Sequence, residues 1–271
     1  MPRYIAWLAA LPVILVSSIG FADTLEPGAI SQFQVELTPE LRRIAGRGEL
    51  SPATNAAVAI AAPLGFDPGR QWPVMIVSAT SDRPYHSSRG LLAEYVGAAR
   101  DQGWILIAAD PIPDVPKAQD DATLRFAVSF AALAVLRSQW PGAESAPLAF
   151  GGFSGGSKYS GWLAAAFASQ GRRIIGIYVA GINQDTIAST ARDMNVLDER
   201  YKSIPVFLQS GEKDVVSTPA EHRRVQAELD HAGFKHTRIE YFSGRHEVEP
   251  ALLRTALQWF SELAAQPSTT R

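Results

Sequence analysis

The residues Gly151-Gly152-Phe153-Ser154-Gly155-Gly156 read Gly-x-Ser-x-Gly from Gly152 to Gly156. An apolar run from Pro147 to Phe150 leads in, and a helical run from Lys158 to Ser169 leads out. A strand that turns this sharply into a helix leaves no room for side chains two positions before and two after the serine, and glycine fits both. The serine is held at the apex with strained backbone angles and an exposed hydroxyl. Gly155 follows it at the start of the helix, where N–H groups lack intrahelical acceptors and the helix dipole favours negative charge. One short segment can therefore supply a nucleophile and half of an oxyanion hole. Two other glycine-rich readings fail. The Walker pattern needs Gly-Lys-Ser/Thr, whereas this chain has Gly156-Ser157-Lys158; the Ser-x-x-Lys pattern fails because Lys158 is four residues after Ser154.

A serine hydroxyl is a poor nucleophile until a base takes its proton. A histidine can do so at neutral pH, and a carboxylate can fix the imidazole's tautomer and steady its positive charge. The candidates are Asp214 in Gly211-Glu212-Lys213-Asp214 and His246 in Gly244-Arg245-His246, with Glu212 as the rival acid. His222 and His231 fall inside a helical run, and His236 starts a strand. His86 is a candidate pocket residue. Its neighbours Arg83 and Tyr85 read as solvated loop, Lys158 as structural, and Trp72, Trp104 and Trp162 as core.

The elements that must position these side chains alternate. Strand patterns cover Pro73–Ala79, Trp104–Ala109 (ended by Asp110-Pro111), Leu148–Phe153, Ile174–Ala180, Ile204–Gln209 and Arg238–Phe242. Helical patterns cover Ser88–Gln102, Ala122–Gln139, Lys158–Ser169, Thr218–Ala232 and Val248–Leu263. Thr218-Pro219-Ala220-Glu221 is a capping box, and Gly233 closes the helix it opens. Earlier, alternating Phe33, Val35 and Leu37 suggest a half-buried strand, Glu40–Gly48 a short helix, and Asn55–Ala62 a second strand. Near-continuous apolar strands alternating with helices imply an α/β fold, with a mostly parallel sheet covered on both faces. Ligands of such sheets bind beyond the carboxyl ends of the strands. Ser154, Asp214 and His246 each follow a strand, on one edge of that sheet.

The order Ser…Asp…His, the Gly-x-Ser-x-Gly turn and the βα rhythm, over roughly residues 56–263, resemble the α/β-hydrolase fold. Compact secreted esterases of the feruloyl-esterase, polyhydroxyalkanoate-depolymerase and dienelactone-hydrolase kinds look closest. The resemblance implies Ser154 as nucleophile, His246 as general base and then acid, and Asp214 as the orienting acid. Many such proteins carry His-Gly after the strand that precedes the first large helix, where a backbone N–H completes the oxyanion hole. Here that place reads Ser78-Ala79-Thr80-Ser81-Asp82, so Thr80 or Ser81 is expected to supply the donor beside Gly155. Residues 183–203 follow the sixth strand, where lids commonly insert, and are expected to form a small cap over the pocket.

Composition bounds the partners. The chain has 271 residues, 46% of them hydrophobic, a net charge of −2 and no cysteine. Nucleic acid is excluded as an expected partner, because phosphate binding needs a basic face. Arg3, the apolar run from Tyr4 to Val16 and the small residues up to Ala22 read as a signal peptide over residues 1–22, which would export the protein to a periplasm or beyond the cell. No stable membrane insertion is expected after its removal. Residues 23–265 form the expected single domain and 266–271 a frayed tail. No metal-ligand spacing is present, so neither metal nor cofactor is expected. Two functions follow: a serine hydrolase cleaving a small-molecule or polymeric carboxylic ester through an acyl-enzyme, and, as the alternative, a degenerate hydrolase fold that binds a ligand or partner without catalysis. A peptidase of this fold would usually bring an added propeller or cap, and oligomeric state is left open.

Overall fold

A computed structural model describes residues 25–82 and 85–266. The segment expected to act as a signal peptide, Arg83, and the tail beyond Gln266 lie outside the described residues. Eight strands form one sheet: β1 (Ile30–Glu36), β2 (Asn55–Ala61), β3 (Val74–Ser78), β4 (Ile105–Ile112), β5 (Leu148–Phe153), β6 (Ile174–Ala180), β7 (Val206–Gly211) and β8 (Thr237–Phe242). Among the described residues, seven α-helices accompany them: α1 (Pro39–Ala45), α2 (Ser88–Asp101), α3 (Ala122–Gln139), α4 (Gly155–Ser169), α5 (Ala188–Asp193), α6 (Pro219–Ala232) and α7 (Pro250–Ala265).

The strand order is β1-β2-β4-β3-β5-β6-β7-β8. β1 and β2 run antiparallel to their neighbours, and every pairing from β4 through β8 is parallel. Because side chains alternate across a strand, each central strand feeds two cores. Val74, Ile76, Ile105, Ile107, Phe150, Ile177 and Val206 pack on the side of α1, α3, α4, α5 and α6. Met75, Val77, Leu106, Ala149, Tyr178 and Phe207 pack on the side of α2 and α7. This double burial is why the strands read as apolar runs rather than alternating ones. Trp72 and Trp104 are buried and Trp162 packs on the first core, in keeping with the core reading.

One detail departs from the sequence reading. β4 does not stop at Asp110-Pro111: Asp110, Pro111 and Ile112 pair with Ala57, Ala56 and Asn55 of β2. β3 pairs β4 only as far as Ala108, so beyond it the strand has a neighbour on one side, and proline is tolerated at such a half-open position. Residues 183–203, expected to form a small cap, connect β6 to β7. Ile187, Ala191 and Met194 fall at helical spacing and are buried in the same core as Leu163 and Ala164 of α4. The Thr186 hydroxyl donates to the Lys158 carbonyl at 3.0 Å, fastening the start of this segment to α4. An apolar stripe of that kind is stabilised by packing onto α4, which commits the segment to the helical layer.

Candidate active site

β5 ends at Phe153 and α4 begins at Gly155, so Ser154 alone makes the turn. Its backbone sits at φ 56°, ψ −119°. A non-glycine residue held there stores strain that the surrounding packing must sustain. The glycines supply the space. A β-carbon on Gly152 would lie 2.4 Å from the Gly156 carbonyl, and one on Gly156 would lie 2.0 Å from the Ser78 carbonyl. β3 and β5 are thus pressed together at the turn, with Ser78 in register with Gly152.

His246 joins the serine to the acid. Its Nδ1 is 2.7 Å from Asp214 Oδ2, and its Nε2 is 3.0 Å from Ser154 Oγ. A carboxylate only accepts, so Nδ1 carries the proton and Nε2 presents a lone pair to the serine hydroxyl. Asp214 is 4% exposed, and its other oxygen accepts from Val216 N–H at 2.8 Å and Ser217 N–H at 2.9 Å. Burial works against its charge, but hydrogen bonds from His246, Ser217 and Val216 outweigh burial and hold the carboxyl below its ordinary value. The acid at neutral pH is therefore an anion aimed at the imidazole.

Two flanking groups shape the imidazole's seat. Phe153 lies 4.6 Å from the His246 ring, centroid to centroid. Gly181 has φ +63°, and a β-carbon there would approach His246 Cε1 to 2.8 Å. Glu212, the rival acid, has an exposed side chain, and among the described residues it is Asp214 that meets His246.

Gly155 is the first residue of α4, where backbone N–H groups lack an intrahelical acceptor. A β-carbon on it would lie 2.4 Å from Thr80 Oγ1, so Thr80 is brought directly against the turn. Ser81 is turned elsewhere. Its Oγ is 2.5 Å from the Tyr159 hydroxyl and donates to the Asp120 carbonyl at 3.0 Å. The structure sets Thr80 against Gly155, and the Ser81 side chain anchors the same loop. That anchor is rigid: Arg125, almost fully buried, grips Asp120 with two bonds of 2.6 and 2.7 Å and also reaches Asp110 at 3.0 Å. His86 faces Asp114 at 3.4 Å, and Tyr85 is exposed.

His222 is not part of the site but supports it. It is fully buried on α6, and its Nδ1 lies 3.1 Å from the Thr218 carbonyl while its Nε2 accepts from Ile182 N–H at 3.2 Å. Both bonds are satisfied only by the neutral ring. Burial, partly offset by the Thr218 carbonyl and Asp214, pushes its pKa below the ordinary 6.5. Below that ordinary value the unfolded chain binds a proton that the folded chain refuses. The stabilising contribution is present above about pH 6.5 and is lost as pH falls toward the lowered folded value. Between pH 7 and pH 5 the wild type should therefore lose more unfolding free energy than His222→Gln, by up to about 1.4 kcal/mol per pH unit. Parallel pH profiles from denaturant titration of the two proteins would contradict this.

Sequence reasoning missed Gln209. Its side chain is fully buried at the end of β7, where it bonds Tyr178 and the backbone on the far side of His246. The signal was present as one polar residue closing the apolar run Ile204-Pro205-Val206-Phe207-Leu208.

Comparisons with known proteins fit this architecture. No family model matches the chain, and no curated protein is similar in sequence. Solved structures are similar in fold. An α/β serine hydrolase without lid from Xanthomonas campestris superposes with TM-score 0.58 at 17% identity, covering 90% of this chain and 100% of its own. A cold-adapted esterase from an Arctic intertidal metagenomic library gives TM-score 0.58 at 11% identity, covering 91% and 98%. A Bacteroides ovatus protein described as a dipeptidyl aminopeptidase IV gives TM-score 0.59 at 12% identity; the match takes in 86% of this chain but 36% of that one, so the chain spans only about a third of its length. With its β1-β2-β4-β3-β5-β6-β7-β8 sheet and a Ser154 turn between β5 and α4, the chain has the α/β-hydrolase fold, and the solved structures that share it include serine hydrolases.

Proposed function

We propose that the protein is an exported serine hydrolase that cleaves carboxylic esters through an acyl-enzyme. One observation carries this reading: the unbroken line of hydrogen bonds from Ser154 Oγ through His246 to the buried Asp214, with Ser154 held at a strained apex. Ser154 Oγ attacks the ester carbonyl carbon as His246 Nε2 takes its proton. Asp214 steadies the imidazolium so formed. The carbonyl oxygen, now negative, is met by the N–H groups of Gly155 and Thr80. As the tetrahedral intermediate collapses, His246 returns the proton to the departing alkoxide and the alcohol leaves. A water, deprotonated by His246, then attacks the acyl-serine. The carboxylic acid departs and Ser154 regains its proton.

Esters are favoured as the substrate class by the esterase and the lipase among the similar folds. Export rests on the N-terminal apolar run alone. The test is hydrolysis of p-nitrophenyl acetate, butyrate and octanoate by the mature protein beside Ser154→Ala. Turnover of at least one ester, lost in the variant, is expected. Equal rates for both proteins would refute the reading.

A further inference from the structure

Gln209 ties together the two stretches of chain that hold the His246 imidazole. Its Nε2 donates to the Glu247 carbonyl at 3.0 Å, and its Oε1 accepts from Glu249 N–H at 3.1 Å. These two partners lie one and three residues beyond His246. The Tyr178 hydroxyl donates to the same Oε1 at 2.5 Å. A backbone carbonyl only accepts and a backbone N–H only donates, so these contacts admit one orientation of the amide. Burial pushes the Tyr178 hydroxyl well above its ordinary pKa, which keeps it a donor. On the other side of the strand's backbone, the Gln209 carbonyl accepts from Gly181 N–H at 3.3 Å, and Gly181 is the residue whose α-carbon faces the imidazole edge.

The histidine loop meets β7 again at Gly211, where a β-carbon would lie 2.2 Å from the Arg245 carbonyl. That contact is steric and sets how close the loop can come. The Gln209 amide sets where along β7 it sits. Every other residue of β7 before it is apolar, and Gln209 and Tyr178 lie in the face otherwise filled by Phe207, Leu253 and Phe260. A fully buried amide with three protein partners, in an apolar layer, is sustained only when all of its groups are paired.

We infer that Gln209 is a positioning residue for the reaction: by clamping the backbone at Glu247 and Glu249, it holds His246 Nε2 within reach of Ser154. The inference rests on the serine-hydrolase reading. It does not make Gln209 a participant, because the hydrogen bonds of its side chain go to Tyr178, Glu247 and Glu249.

The test is steady-state hydrolysis of a p-nitrophenyl ester by Gln209→Leu, His246→Ala and the double variant, with the wild type beside them. Gln209→Leu keeps the volume and removes all three bonds. Its kcat should fall by up to about 10²-fold at unchanged KM, the loss that follows when a catalytic group is displaced by about an ångström. Tyr178→Phe removes one bond of the three and should cost less. The double variant should be no slower than His246→Ala alone, because there is no longer an imidazole to position. A kcat for Gln209→Leu within twofold of wild type overturns the inference, and so do losses that multiply in the double variant. If Gln209→Leu does not fold, Gln209→Glu decides. Its carboxylate accepts from Glu249 and Tyr178 but has no N–H for Glu247, so a reduced kcat is expected and an unchanged one overturns the inference. A wild type that neither turns over ester nor reacts at Ser154 would instead sink the hydrolase reading, and this inference with it.

Discussion

His246→Ala is expected to cut kcat for ester hydrolysis by a factor on the order of 10⁶, and to leave folding intact. The size follows from the geometry. Nε2, at 3.0 Å, is the base in contact with Ser154 Oγ among the described residues. Without it the hydroxyl must lose its proton to water, and the departing alkoxide must find a proton elsewhere. Both halves of the reaction use the same nitrogen, so both lose it together. What should remain is the modest acceleration contributed by the oxyanion donors and by binding. The His246 side chain is 19% exposed and packs on Phe153, so the alanine gives up some packing, and circular dichroism checks that the variant is folded. The measurement is kcat at saturating ester, with Ser154→Ala as the floor. A loss below tenfold would mean that another group takes the proton.

Asp214→Asn should lower kcat by about 10⁴-fold, and the reason is the tautomer. Asp214 Oδ1 is fixed by the N–H groups of Val216 and Ser217. An asparagine keeps those two bonds only by placing its carbonyl oxygen there. Its NH₂ group then faces His246 Nδ1. That arrangement forces Nδ1 to accept and moves the ring proton to Nε2, the atom that must be bare. The nucleophile and base thus stay in place while the base is switched off. Since the wild-type carboxyl is held below its ordinary value, its charge persists at neutral pH and is lost only as pH falls through that lowered value. Circular dichroism should show a folded variant. A kcat within tenfold of wild type would show that Asp214 does not govern the tautomer.

The three side chains that the structure brings together, Ser154, Asp214 and His246, were legible in the sequence because tight geometry limits what can stand there. A glycine pair around Ser154, a capping box at Thr218 and a Gly-Arg-His turn are local signatures, and the strand–helix rhythm orders them along one sheet edge. What was not legible depends on contacts made far along the chain. Thr80 and Ser81 were offered as backbone oxyanion donors, and the bond between the Ser81 side chain and Tyr159, 78 residues later, is one that no local pattern shows. The place of residues 183–203 after the sixth strand suggested a cap, while the burial of Ile187, Ala191 and Met194 against α4 is a contact that no local pattern assigns to a partner. Pro111 read as a strand end, yet the antiparallel pairing with β2 carries the strand past it. Gln209 was visible as a polar residue in an apolar run, but its partners at Glu247 and Glu249 are set by how the histidine loop folds back.

The central claim, that His246 and Asp214 activate Ser154, is tested most directly by intact-mass analysis after exposure to a fluorophosphonate. The expected result is one adduct per chain, located on Ser154, absent in Ser154→Ala and formed far more slowly in His246→Ala and Asp214→Asn. A well-folded wild type that takes up no adduct, or an adduct that persists in Ser154→Ala, would contradict it.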